Sequence, residues 1–241
     1  MIETKQLIND LRQAFGDGLK LPVAVWYSDS PAGEVAMLPH CMFEGLPLVE
    51  AGKTLSFTQE TLHCGGGRIY CGYAQPTEAV MNFVSGKEHY KKTPQGVRNC
   101  IEKMNLRLSD KPCLNFSRID NMDSLEDVEG VVFFAGADVL SGLAAWAFFD
   151  NDSPDAVSTL FSSGCGAMVA NVVAENRIGG RRTFLGMMDL SVRKFINSDE
   201  LSFSIPSCRL EEMAGTLKES ALWLSPAWET IKNRINKCSQ L

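Results

Sequence analysis

Apolar positions recur with helical spacing at the start of the chain: Leu7, Ile8, Leu11 and Phe15 share one face and are stopped by Gly16-Asp17-Gly18. This predicts a short amphipathic helix whose apolar face needs a sheet to cover. Leu21-Pro22-Val23-Ala24-Val25-Trp26-Tyr27 follows, a β-branched and aromatic run closed by Ser28-Asp29-Ser30-Pro31, as a buried strand and its turn would be. Cys41 to Ala51 reads as a helix interrupted at Pro47, and Thr54-Leu55-Ser56-Phe57 alternates like a strand with one wet face. Helices are predicted over 76–84 and 94–106, the second with Thr93 as its cap and Pro94 in its first turn. Cys100 lies beside the stripe Val97, Ile101, Met104, Leu108, where burial is the usual fate of a free thiol.

The pattern then restarts. Gly130 to Ala135 is an apolar strand that leads through Gly136-Ala137-Asp138 into a helix carrying Leu140, Leu143, Ala144 and Ala147. A strand over 157–161, a helix over 165–175, strands over 183–187 and 201–205, and terminal helices starting near Ser207 and Ser225 complete the series. The expected class is α+β (or α/β), a mixed sheet with helices packed on it. Placing Cys41 on Cys165 aligns two short helices, two following strands, and then Arg68 with Arg193 after a one-residue gap. A single compact domain over 1–241 is therefore expected to contain two similar halves, about 20–125 and 126–206, followed by C-terminal helices over 207–238.

Composition narrows the classes of function. With 241 residues and 45% hydrophobic content the chain is neither disordered nor fibrous. Its net charge of −6, with Lys91-Lys92 and Arg181-Arg182 as the nearest things to basic runs, argues against nucleic acid as a partner. Met1-Ile2-Glu3-Thr4-Lys5-Gln6 has no basic segment followed by an apolar one, so a cytoplasmic location is expected. The segments 131–149 and 156–174 are nearly uncharged, but the first would bury Asp138 at a cost of about 2.5–3.5 kcal/mol at a bilayer centre, and the second holds several serines, glycines and Asn171. No membrane span is expected. The eight cysteines, at 41, 64, 71, 100, 113, 165, 208 and 238, are spread along a chain able to build its own core, which favours reduced thiols. None forms a Cys-x-x-Cys pair.

Several strings carry candidate chemistry. Gly52-Lys53-Thr54 fails as a phosphate-binding loop, because Pro47 stands where that motif needs its first glycine and the strand and helix come in the wrong order. His63-Cys64-Gly65-Gly66-Gly67-Arg68 is the most unusual string: three glycines suggest an unusual backbone path or a closely approaching ligand, and Arg68 offers a fork for a carboxylate or phosphate. A bulge or tight hairpin with Arg68 solvated is the plainer alternative. His40-Cys41 and His63-Cys64, with Cys71, hold residue types that bind soft or borderline metals, although neighbours on a strand point oppositely. Cys165, in Ser162-Ser163-Gly164-Cys165-Gly166, sits between a predicted strand and helix, and Cys41 occupies a comparable position, so either is a candidate catalytic thiol activated by a helix dipole.

With these residues in view, the sequence resembles the Domain of Unknown Function 169 family, nicknamed archaeal Cys-rich, from about Leu21 to Glu212. The likeness is carried by Leu21-Pro22-Val23-Ala24-Val25, the Cys41 segment running to Glu50-Ala51-Gly52, the cysteine-glycine stretch from Glu60 to Gly72, Gly164-Cys165, and Arg193 followed by Glu200 and Ile205-Pro206. The resemblance implies a soluble α/β or α+β unit with cysteines worth testing, and no assigned activity. Many members carry a cysteine shortly before the position of Arg193. This chain has Met187-Met188-Asp189 there, so a role needing a thiol in both halves is not implied.

The leading expectation is a protein that binds an anionic small molecule or cofactor, of unknown identity, in a cleft between the halves. Cys64, Gly65, Gly66, Gly67 and Arg68 would line one side, and Cys165 and Arg193 the other. The alternatives are a cysteine-dependent redox, metal or iron–sulfur enzyme using Cys41, Cys64 and Cys165, and a structural or partner-binding subunit.

Overall fold

In the computed structural model, which describes residues 3–238, the opening apolar stripe forms helix α1 (Thr4–Phe15) and the following run forms strand β1 (Val23–Ser28). Met1 and Ile2 of the N-terminal reading lie outside the described residues. The first half continues with β2 (Glu34–Val35), a 3-10 turn over Met42–Gly45, α2 (Leu46–Glu50) and β3 (Leu55–Thr58). It ends with α3 (Gly65–Tyr70), α4 (Glu78–Gly86), α5 (Pro94–Lys103) and β4 (Cys113–Arg118). The second half holds β5 (Gly130–Ala135), α6 (Ala137–Phe149) and β6 (Val157–Ser158). A π-helical segment, Gly166–Ala170, then runs into α7 (Asn171–Arg177), before β7 (Thr183–Gly186) and β8 (Leu201–Pro206). Helices α8 (Ser207–Thr216), α9 (Ala221–Leu224) and α10 (Pro226–Cys238) follow. No helix among the described residues is long and apolar enough to cross a membrane.

The class is α+β, with a mixed sheet in the order β2-β3-β4-β1-β5-β8-β7-β6. Read outward from the centre, both wings have the same plan. β1 and β5 pair antiparallel at the middle, β4 and β8 flank them, and each wing closes with a parallel pair, β3 with β2 and β7 with β6. The central seam is short: Val23 faces Val132, Ala24 faces Val131, and Val25 faces Gly130.

Alternating side chains send each strand into two cores. Val23 and Val25 join Phe57, Phe116 and Met168 under one set of helices, while Ala24 and Val131 join Phe15, Trp146 and Phe203 under α1, α6 and the C-terminal helices. A sheet covered on both faces explains the near-continuous apolar runs of β1 and β5.

Four local expectations need correction. β4 was not among the predicted strands, because Asn115 and Ser117 interrupt its apolar pattern. Both are buried and bonded across the sheet, Asn115 Oδ1 accepting from Ser56 Oγ at 2.7 Å and Ser117 Oγ lying 2.7 Å from Thr54 Oγ1. The strand expected over 157–161 pairs only at Val157–Ser158. Pro47 does not interrupt the helix over 41–51; it lies in the first turn of α2, where its missing N–H costs nothing, and the preceding turn is 3-10. Leu108 lies beyond the end of α5 and is exposed, so it is not part of the buried stripe of Val97, Ile101 and Met104.

Gly130, at the seam, has no room for a side chain: a Cβ there would lie 2.4 Å from Val172 Cγ1 and 2.5 Å from the Ile205 carbonyl oxygen. We expect Gly130→Ala to lower unfolding free energy by about 1–3 kcal/mol through overpacking. Urea denaturation checks this, and an unchanged midpoint would show that α7 does not press on the seam.

Candidate functional site

On the face of the sheet that carries α3 and α4, a cleft of about 700 Å³ opens between residues of the two halves. One wall is Gly65, Gly66 and Gly67 of α3 with Val80, Phe83 and Val84 of α4, and the opposite wall is Leu160, Phe161, Met188 and Val192. Cys41, Cys64 and Cys165 line its floor together with Tyr70. A smaller recess of about 10 Å³, room for roughly one water, adjoins it and is lined by His40, Cys41, His63, Cys64 and Cys165.

The structure brings most of the expected residues together. Cys64, Gly65, Gly66, Gly67 and Cys165 meet in the cleft, and both His-Cys pairs line the recess. Arg68 and Arg193 are not brought in. Arg68 Nε donates to the Leu62 carbonyl at 2.6 Å, and the Arg193 guanidinium donates to the carbonyls of Asn197, Ser198 and Glu200. The expectation of two arginines flanking one ligand is therefore corrected: each guanidinium holds the loop of its own half.

The triple glycine is also not a bulge or hairpin. It is the first half of α3, where the Cys64 Sγ accepts the Gly67 N–H at 3.5 Å and the Cys64 carbonyl accepts the Arg68 N–H at 3.0 Å. Buried Ile69, Tyr70 and Cys71 anchor the helix from its other end. None of the three glycines has a positive φ. Nor is Gly66 crowded, since a Cβ there would meet only Cys64 Sγ, at 3.8 Å.

Gly164 and Gly166 are small for the opposite reason. A Cβ on Gly164 would lie 2.7 Å from the Phe43 ring, and one on Gly166 would lie 2.4 Å from Ser162 Cβ and 3.2 Å from the Tyr70 ring. Close packing accounts for the glycines around Cys165.

The thiols do not have the electropositive setting that activation requires. Burial raises the Cys41 thiol to about 11, and the nearby Cys64, Glu44 and Asp189 push the same way. Cys165 is raised by its hydrogen-bonding contact with Cys71, by burial, and by the proximity of Cys41 and Cys64. The dipole-activated nucleophile expected at Cys41 or Cys165 is thus corrected to a pair of neutral thiols. Burial also raises Tyr70 and Glu88, and Asp189 adds to the effect at Glu88. The cleft favours uncharged groups, and its lining holds two carboxylates, Glu88 and Asp189, but no lysine, arginine or histidine.

Two features of the lining had little sequence signal. Met187 directly follows β7 with φ +63° while fully buried, an uncommon conformation for a side-chain-bearing residue, and this turn carries Met188 and Asp189 into the cleft. Asp189 then accepts the N–H and hydroxyl of Ser191, whose N–H also reaches the Tyr90 hydroxyl at 2.9 Å. Phe83 was legible as an apolar residue of α4, but its exposure of 53% on the cleft wall was not.

Among the described residues, no three His, Cys, Asp or Glu side chains gather closely enough to hold a metal ion. His40, Cys41, His63, Cys64 and Cys71 therefore do not form the ligand set considered from sequence. Cys71 is buried below the recess, with its Sγ on Met42 Sδ.

The DUF169 family profile, described as uncharacterised ArCR, matches residues 19–216. The chain belongs to the DUF169 family. No curated protein and no solved structure matches it. The DUF169 match spans both wings of the sheet and both walls of the cleft, and stops at the last residue of α8.

The thiols of this DUF169 protein should differ sharply towards iodoacetamide at pH 7. We expect exposed Cys64 to be labelled first and Cys41 slowly, with Cys165 and Cys71 protected until the protein unfolds. Because Cys41 is neutral below about 11, its rate should rise about tenfold per pH unit between pH 7 and 9. Peptide mapping of the labelled sites measures this, and Cys165 labelling as fast as Cys64 would contradict the neutral, buried thiol described above.

Proposed function

We propose that this protein binds a largely apolar small molecule or cofactor in the cleft, uncharged or carrying positive charge at the end formed by Glu88 and Asp189. The observation that carries this reading is the glycine wall of α3. Three successive glycines in a helix are less favourable than alanines by about 2–3 kcal/mol. Neither a positive φ nor a neighbour within 3.4 Å requires glycine at 66 or 67. Bare backbone on a cleft wall lets a flat apolar surface approach closely, which gives these glycines a purpose that packing does not.

The size of the cleft supports the same reading, since sites for small molecules commonly enclose about 300–1,000 Å³. Its chemistry favours a neutral or cationic occupant over the anionic one expected from Arg68 and Arg193, neither of which lines the cleft, Arg68 donating through Nε and Arg193 through its terminal nitrogens to backbone carbonyls. An anion would face Glu88 and Asp189, while Lys91, a cation beside the lining, is held over the Phe161 ring at 4.2 Å.

Titration with Nile red, an uncharged apolar fluorophore, tests the reading. We expect saturable enhancement at one site, weakened about tenfold or more by Gly66→Leu, a variant that fills the cleft and whose helix propensity should leave the thermal midpoint equal or higher. Glu88→Gln should weaken the cationic analogue Nile blue more than Nile red. Binding of Nile red that is indifferent to Gly66→Leu would refute a ligand site against α3.

A further inference from the structure

Beneath the floor of the cleft, three sulfur atoms from separate segments meet. Met42 Sδ lies 3.2 Å from Cys165 Sγ and 3.8 Å from Cys71 Sγ, with each thiol donating to the thioether. The Cys71 thiol is also a close neighbour of Cys165. Met42 begins the 3-10 turn of the first half, Cys71 follows the last residue of α3, and Cys165 directly precedes the π-helical segment of the second half. All three residues are buried.

We propose that Cys71, Cys165 and Met42 form a three-coordinate site for a soft monovalent cation, copper(I). Thiolates and thioethers are the ligands that select this ion, and a thioether contributes little to a hard cation. With metal–sulfur bonds of about 2.3 Å, a trigonal arrangement separates the sulfurs by about 4.0 Å. The two separations that meet at the thioether, 3.2 and 3.8 Å, need to lengthen by less than about 1 Å to reach that value. Zinc is disfavoured because it takes four ligands, and among the described residues no third His, Cys, Asp or Glu joins the two thiols.

An entry route is present. Cys165 lines both the cleft and the small recess, and exposed Cys64 and half-buried Cys41 line the same recess on the solvent side. On binding, the two S–H protons leave to solvent, two copper–sulfur bonds form, and Met42 Sδ donates a lone pair. No oxidation state changes.

Anaerobic titration of the full chain with copper(I) held by bathocuproine disulfonate tests the site. We expect one equivalent to pass from the chelator to the protein. Cys71→Ser and Cys165→Ser should each weaken uptake by about 100-fold and Met42→Leu by about tenfold, while Cys100→Ser and Cys208→Ser should leave it unchanged. X-ray absorption of the loaded wild-type protein should show sulfur neighbours only, which keeps the test decisive if a serine variant fails to fold. Failure to withdraw copper from the chelator, full uptake by the folded Cys71→Ser/Cys165→Ser variant, or nitrogen in the first coordination sphere would each overturn the proposal. Gly66→Leu should retain copper uptake while losing Nile red, so the failure of either reading leaves the other standing.

Discussion

The antiparallel seam between β1 and β5 holds the two wings in one sheet through three residue pairs, Val23 with Val132, Ala24 with Val131 and Val25 with Gly130. Backbone hydrogen bonding alone would make so short a seam weak, and burial on both faces supplies most of its stability. Val23, Val25 and Val132 anchor one core and Ala24 and Val131 the other, so separating the wings would expose both cores at once. Gly130 adds a steric condition, because the absence of its side chain lets Val172 of α7 lie directly on the strand. The cleft inherits its geometry from this joint: its walls come from residues on either side of the seam, and their separation is set where β1 meets β5.

The guanidinium groups of both halves stay outside the cleft lining. Arg68 and Arg193 stand in similar places after β3 and β7, and both donate to backbone carbonyls. Such a contact fixes the path of a loop without placing a net charge against the ligand space. With neither guanidinium in the lining, the groups there able to ionise are thiols, phenols and two carboxylates, and burial moves Cys41, Cys165, Tyr70 and Glu88 towards their neutral forms. The bare backbone of α3 is consistent with that environment, offering close contact rather than electrostatic attraction.

The parts of the fold legible from sequence are those where one physical rule acts alone. α1, β1 and β5 follow their apolar patterns, and α5 follows its threonine cap, with Thr93 accepting the Gly96 N–H. β4 escaped because Asn115 and Ser117 look like surface residues, and only their cross-sheet partners show why burial is tolerated. α3 escaped because glycine is a poor helix former, so its helicity depends on the anchoring of Ile69, Tyr70 and Cys71 in the core. The candidate site was half legible. The glycines and Cys64 and Cys165 could be named as unusual, but the direction of Arg68 and Arg193 depends on which carbonyls lie within reach. That is decided by loop geometry, which residue type does not encode. Met42 carried no signal beyond its place next to Cys41, although its sulfur touches two distant thiols.

The π-helical segment Gly166–Ala170 has one more consequence. Successive residues of a regular helix are rotated by about 100°, so loss of one residue from this stretch would restore ordinary hydrogen bonding while turning everything before it through that angle. Cys165 would swing off the floor of the cleft, while Val172 and Val173 kept their places in the core. Helix regularity and thiol placement are thus in direct competition at this point. The wider turn keeps two phases of a single rod in register with different surroundings, which makes the length of this segment, more than its composition, the quantity that a related chain must preserve.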